Sequence, residues 1–430
     1  MESDQGESRQ AHSRTEAEVP PRLGPRPLPL HLMAAGLTWA ASRNALPLWS
    51  SGSANWKDVW QGDLGERAEA LRAKLNGTDP VDFAAAVDAE VAGRLAALAK
   101  GLEAYRHHPY HRDLADPPVL WQEGACRLLD YGGIPEAKGQ KDRPSVLVVP
   151  SLINRAYVLD LTAERSLLRW LARQGVRPLL MDWGRPGAEE RGFTLTDYIA
   201  GRLERALDAL RAQEQSPPLV LGYCMGGLLA LGLALRRQDD LAGLVLLATP
   251  WDFHAENAPH SRMAAATLPL AAPLLDSLGE MPVDLLQALF SSLDPHLVVR
   301  KFLAFGRLDQ GSAKARDFVA LEDWLNDGVP LAGPVAAEAL LGWYGENLPG
   351  RQLWRIAGRT VVPGDIGLPS KVIIPSRDRI VPPPSAEPLG GLLPHAETLH
   401  VPLGHVGMMA STNAKKAVWE PLGAWMEEYA

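Results

Sequence analysis

A chain of 430 residues exceeds an average domain and predicts two or three structural units. With 46% apolar and 22% charged residues it can bury a large core, and a net charge of −8 argues against a nucleic-acid-binding surface while leaving room for a local basic pocket. Two cysteines, Cys126 and Cys224, are too few for a disulfide framework or a cysteine-based zinc site, which suits a reducing, cytoplasmic setting.

Residues 1–26 are polar and proline-containing and read as a disordered tail; the charged start "MESDQGESRQ" lacks the basic-then-apolar pattern of a secretory signal. The longest apolar stretch, Leu28 to Trp49, is broken by His, Arg, Asn and two prolines, short of the ~18 uninterrupted apolar residues of a membrane span. It is expected to pack on the protein's own body, with docking on an outside apolar surface as the alternative. From Trp56 to about Arg106 the pattern is helical, so 27–117 is set apart as an N-terminal, mainly helical region. Near its end "HHPYH" holds His107, His108 and His111, which read as solvated surface rather than a metal site.

After Pro117 the texture changes. "ACRLLDYG" reads as a strand and "GIPEAKGQKDRP" as a loop. Apolar runs at 145–151, 176–183, 218–224 and 242–250 follow, alternating with helical segments. In "AERSLLRWLARQG" Leu167, Leu168 and Leu171 share one face and Gly175 stands at the stop position. In "TLTDYIAGRLERALDALR" Ile199, Leu203, Leu207 and Leu210 repeat at helical spacing, with Thr194 and Asp197 placed as a cap. Continuous apolar strands alternating with amphipathic helices imply an α/β fold whose mostly parallel sheet is covered on both faces. On this reading 118–250 is the first part of the core, 251–365 a helical cap insertion, and 366–430 the second part, with strands at 370–376 and 396–403.

The chemistry gathers at "LGYCMGGLLA", residues 221–230. Here G-x-C-x-G follows a strand and opens a helix, the setting of a nucleophile elbow with cysteine in place of serine. Gly222 and Gly226 let the two backbones pass, and the helix N-terminus beneath Cys224 favours the reactive thiolate. The bland reading is a buried cysteine packing as a small hydrophobe, as expected for Cys126.

A thiol nucleophile needs a base and a group that orients it, in the chain order nucleophile, acid, histidine. Asp378 in "RDRIVPP" and His405 in "GHVG" each stand just beyond a strand, at the edge where open α/β sheets place their sites. Asp252 is the alternative acid; His400 would lie within its strand. Oxyanion donors would be the backbone N–H of Met225 and of Leu152 or Ile153 in "PSLINRAY", Ile153 being the choice.

"VVPSLINRAYVLDL", "PLLMDWGRPG", "TLTDYI", "GYCMGGLLA", "LLATPWDFH", "RDRIVPP" and "GHVGMM" together resemble the polyhydroxyalkanoate (poly-3-hydroxybutyrate) synthase family of the α/β-hydrolase superfamily, over roughly residues 120–425. The resemblance implies an α/β-hydrolase fold with a cap and a Cys224–Asp378–His405 triad. It also implies polymerisation of (R)-3-hydroxyacyl-CoA through a Cys224 thioester, with release of CoA. Acyl-CoA would be substrate, with no further cofactor and no metal. A partner subunit or a homodimer, and the surface of a polyester granule, are the associations it allows. One position departs from the family, which usually has His after the catalytic Asp where this chain has Arg379. The rival activity is a cysteine-nucleophile hydrolase, a thioesterase or intracellular polyester depolymerase; dienelactone hydrolases share the G-x-C-x-G-G elbow. A non-catalytic granule protein on the same fold is the third reading. Arg155, Arg185, Arg262, Arg300 and Lys301 are the cations available for CoA phosphates, each read first as solvated surface.

Overall fold

The computed structural model describes residues 21–50, 62–138, 144–256 and 258–429. Its centre is an eight-stranded sheet: β1 Val119–Glu123, β2 Cys126–Asp130, β3 Ser145–Val149, β4 Arg177–Asp182, β5 Leu219–Tyr223, β6 Gly243–Leu247, β7 Ser370–Pro375 and β8 Ala396–Val401. The spatial order is β1-β2-β4-β3-β5-β6-β7-β8. The β1–β2 and β2–β4 pairs are antiparallel and the rest are parallel.

The continuous apolar strands have a direct physical cause. Leu147, Val149, Val220, Leu244 and Leu246 enter one core, while Val146, Val148, Leu219, Leu221, Val245 and Leu247 enter the other. Side chains alternate between faces, so a sheet covered on both sides needs apolar residues at every position. The expected helices pack against these faces. Ser166 accepts from Arg169 N (3.0 Å) to cap Leu167–Gln174, which buries Leu167, Leu168 and Leu171 and stops at Gly175. Thr194 and Asp197 cap each other's amides reciprocally. The segment they open begins as a π-helical stretch, Asp197–Leu203, before the α-helix Glu204–Arg211.

Two differences stand out. β1 is a strand that the spacing does not predict; it forms a hairpin with β2 around Gly124 and lies on the open edge, so only part of it is buried and its apolar signal is weak. The expected tail 1–26 lies outside the described residues as far as residue 20, but from Arg22 onward it is bound rather than free: Arg22 Nε donates to Asp323 Oδ1 at 2.6 Å. The part of the Trp56–Arg106 helical reading at 56–61, and of the 133–144 loop at 139–143, also lies outside the described residues.

Between β6 and β7 stand the helices Ala258–Ala266, Leu268–Leu278, Val283–Ser291, Leu297–Phe305 and Ala313–Asn326, a π-helical stretch Glu338–Gly345, and short strand pairs. A third core joins this region to the N-terminal helices Leu28–Arg43 and Pro80–Arg106, through Ala35, Leu98 and Tyr105 against Phe302, Phe305 and Val319. The 28–49 stretch thus packs on the body, as expected, by its Ala35 and His31 side, while Leu32, Met33 and Leu37 face outward. No helix among the described residues is long and apolar enough to cross a membrane.

The "INRAYVLDL" motif does structural work through Asp160, which is fully buried. Its carboxylate accepts from Arg169 Nε (2.8 Å), Arg112 Nη2 (2.8 Å) and Tyr131 OH (3.1 Å), tying the loop after β3 to the following helix. A buried carboxylate deprived of a partner keeps its full desolvation cost. Arg169→Leu is expected to lower the unfolding free energy in a urea titration by about 3 kcal/mol; a loss below about 1 kcal/mol would assign this cluster no more than the weight of a surface pair.

Candidate active site

Strand β5 ends at Tyr223 and the helix Met225–Arg236 begins one residue after it. Cys224 makes the whole turn, with φ 57° and ψ −129°. A side-chain-bearing residue in that region is strained and persists only where its surroundings force it. The forcing is visible. A Cβ on Gly222 would sit 2.4 Å from Gly227 Cα, and one on Gly226 would sit 2.1 Å from Val149 O. The Cys224 N–H is held by Leu247 O on the neighbouring strand at 2.9 Å. Cys224 is partly exposed, whereas Cys126 is buried within β2 and burial pushes its thiol up to about 12.

Asp378 lies in the loop after β7 and His405 in the loop after β8. Asp378 Oδ1 accepts the N–H groups of Ile380 (2.8 Å) and Val381 (2.9 Å), which fixes the carboxylate. Its Oδ2 is 2.6 Å from His405 Nδ1. A hydrogen on Nδ1 leaves Nε2 as the other ring nitrogen, and Cys224 stands close enough for its charge to act on the imidazole. The backbone of the histidine loop is held too: Tyr223 OH donates to His405 O at 3.3 Å, and the two rings lie 5.1 Å apart. Burial alone lowers the imidazole; the charge on an ionised Cys224 and the Asp378 hydrogen bond outweigh it and lift His405 to about 10. The arrangement favours a protonated imidazole next to the cysteine.

The two expected oxyanion donors differ in their surroundings. Met225 is the first helical residue, and its N–H has no acceptor within the helix. Ile153 N–H, in contrast, donates to Ser151 Oγ at 3.0 Å, so it reaches an oxyanion only when that bond exchanges.

The other candidates separate cleanly. Asp252 binds its own surroundings, with Oδ1 accepting from Asn347 Nδ2 (2.8 Å) and His254 N (2.9 Å). His400 lies inside β8. His107 pairs with Glu103 (2.9 Å) at the surface, and His111 is exposed. His108 is a correction: it is buried against Phe305 with Nε2 on Gln310 O at 2.9 Å, because the third core reaches past the helix end. Of the five basic residues, Arg155, Arg185, Arg300 and Lys301 face Asp327, Glu280, Asp294 and Glu322, and Arg262 is exposed. Arg379 is largely exposed and donates to Asp294 Oδ2 at 3.2 Å.

Cys224, Asp378 and His405 open onto a cavity of about 890 Å³ between the sheet edge and the inserted helices. Its walls include residues that sequence reasoning passed over. Tyr344 stands close enough to Cys224 that burial and then the cysteine's charge raise its phenol to about 12. Its ring packs on Phe253 at 4.9 Å. "GWYGENL" carried the aromatic signal without a partner to make it specific. Pro25, Arg26 and His31 line the same cavity, from a part of the chain set aside as tail and apolar helix.

Comparison with known proteins agrees with this fold. A model of the alpha/beta hydrolase fold matches residues 144–410, and a model of the "Poly-beta-hydroxybutyrate polymerase (PhaC) N-terminus" matches 112–171. The chain is 32% identical over 301 residues to a poly(3-hydroxyalkanoate) polymerase subunit of Allochromatium vinosum, covering 68% of this chain and 83% of that one. It is 30% identical over 292 residues to the Synechocystis subunit, covering 66% and 77%. It is 26% identical over 318 residues to that of Haloarcula marismortui, covering 72% and 67%.

Proposed function

Because this chain belongs to the poly(3-hydroxyalkanoate) polymerase family, with its α/β-hydrolase fold, we propose that it polymerises (R)-3-hydroxyacyl-CoA through Cys224, with His405 as base and Asp378 as the residue that orients it. The observation that carries the proposal is the 2.6 Å bond from His405 Nδ1 to Asp378, at a cavity shared with a cysteine on a strained turn. The Cys224 thiolate attacks the thioester carbonyl, and the Met225 N–H at the helix start stabilises the oxyanion. The carbon–sulfur bond to CoA breaks, and the CoA thiolate takes the proton from His405. One thioester replaces another, so the acyl group stays activated. His405 then removes the proton from the hydroxyl of a second acyl unit, which attacks the Cys224-bound carbonyl. An ester forms and the Cys224 thiolate leaves.

Transfer rather than hydrolysis requires that water be kept from the acyl-enzyme. The inserted helices over the sheet edge and the aromatic wall of Phe253, Trp343 and Tyr344 suit that requirement. Arg379 lines the cavity and pairs with Asp294, and no step is assigned to it. A granule surface, and a partner subunit or second copy of the chain, belong to the proposal as associations that a growing insoluble chain would need.

Purified protein incubated with (R)-3-hydroxybutyryl-CoA should release free thiol and deposit insoluble polymer, both lost in Cys224→Ala. Asp378→Asn, which removes the charge that orients the ring, should lower the rate by about 10²–10⁴-fold. Thiol release with free hydroxy acid and no polymer would replace the synthase with a hydrolase. Polymer from Cys224→Ala would refute the assigned nucleophile.

A further inference from the structure

The cavity wall contributed by Pro25, Arg26 and His31 reaches the site from about two hundred positions up the chain. What holds it there is a set of bonds to the helix Ala313–Asn326. Arg22 donates from Nε to Asp323 Oδ1 (2.6 Å) and from Nη2 to Asp323 Oδ2 (3.0 Å), a two-pronged pair. Its guanidinium also donates to His108 O at 2.7 Å and to Tyr110 O. With the side chains only 18% and 30% exposed, this is not an ordinary surface pair. Four residues on, Arg26 N donates to Asn326 Oδ1 at 2.9 Å, and its side chain reaches Asp284 on the inserted helix Val283–Ser291 at 2.9 Å. His31 closes the segment on itself, with Nε2 on Arg26 O at 3.2 Å, and is buried.

The surface beneath is built to receive it. Along one face of Ala313–Asn326, Glu322 holds Lys301 (2.7 Å), Asp323 accepts from Tyr105 OH (2.9 Å) as well as from Arg22, and Asn326 donates to Tyr105 OH (3.2 Å). Tyr105 and Asp323 stay bonded to each other without Arg22, so the dock outlasts the loss of what is docked. Glu322, Lys301 and Asn326 line the cavity together with Arg26 and His31. The segment is thus neither a tail nor a surface ornament: its Pro25, Arg26 and His31 form part of the wall of the cavity onto which Cys224 opens.

We infer that Arg22–His31 is a strap that limits the size of the group reaching Cys224, with Arg22 as the positioning residue that holds it down. The inference rests on the acyl-transfer reading for the nature of the excluded group, an acyl chain, and on geometry alone for the exclusion itself. Arg22 carries most of the bonds at the strap's start, so its loss frees the segment while the sheet, the triad loops and the docking helix keep their own contacts. A loosened strap widens access to Cys224 without altering the sulfur's surroundings.

The test uses reagents of one chemistry and two sizes. In the full chain, Cys224 is labelled with N-ethylmaleimide and with fluorescein maleimide; Cys126, buried within β2, does not compete. In Arg22→Ala the bulky reagent is expected to gain about tenfold relative to the small one, while the small reagent keeps its wild-type rate within about twofold. His31→Ala, which leaves the Arg22 bonds in place and only thins the wall, should give a smaller gain in the same direction. Unchanged ratios in both variants would overturn the strap, as would an equal gain for both reagents, the mark of a merely loosened fold. Labelling needs no turnover, so the two readings fail separately. Absence of polymer from hydroxyacyl-CoA would remove the synthase and leave the size limit standing; polymer with unchanged labelling ratios would do the reverse.

Discussion

Everything at this site hangs on one backbone constraint, the turn at Cys224 from strand directly into helix. At φ 57° the residue is in a conformation that a side chain resists. It is kept there because the helix start passes so near strands β3 and β5 that neither Gly222 nor Gly226 has space for a Cβ. Two-sided burial of the sheet supplies the energy for the strain, since the strands and helix that meet at the turn are nearly all core. The outcome is a sulfur fixed above the sheet edge at a helix N-terminus, beside the two loops that end β7 and β8.

A second balance is electrostatic. Burial of His405 opposes its charge, and the Asp378 carboxylate together with an ionised Cys224 reverses that opposition. Asp378 can do this because its own charge is spread over two backbone N–H groups and the imidazole. None of these residues would hold its neighbour so well in open water, which is why the covering elements matter. The inserted helices roof the cavity, and the N-terminal helices brace that roof through the third core. The cover is therefore continuous in space although its parts are remote in sequence.

Legibility followed the range of the interactions. The parallel strands, the helix Leu167–Gln174 with its serine cap, and the Thr194–Asp197 box are local patterns, and they stand where periodicity put them to within a few residues. β1 escaped because an edge strand buries too little to show a full apolar run. His108 looked like surface because its cover, Phe305, comes from two hundred residues downstream. The tail reading broke at Arg22 for the same reason: polar residues announce solvent unless the acceptor, here Asp323, is known.

By itself the sequence determined the α/β fold class, the cysteine elbow, and the strand-end positions of Asp378 and His405, because each depends on residues near in the chain and on the two-residue and 3.6-residue periods of backbone geometry. Tertiary structure alone decided which carboxylate meets the histidine, that Ile153 N–H is already engaged by Ser151, that four of the five basic residues are matched by nearby carboxylates, and that the segment after residue 21 walls the cavity. Each of those is a contact between groups far apart in sequence. Hydrogen bonds and ion pairs act over a few ångströms, so their partners are named only once the chain has brought them together.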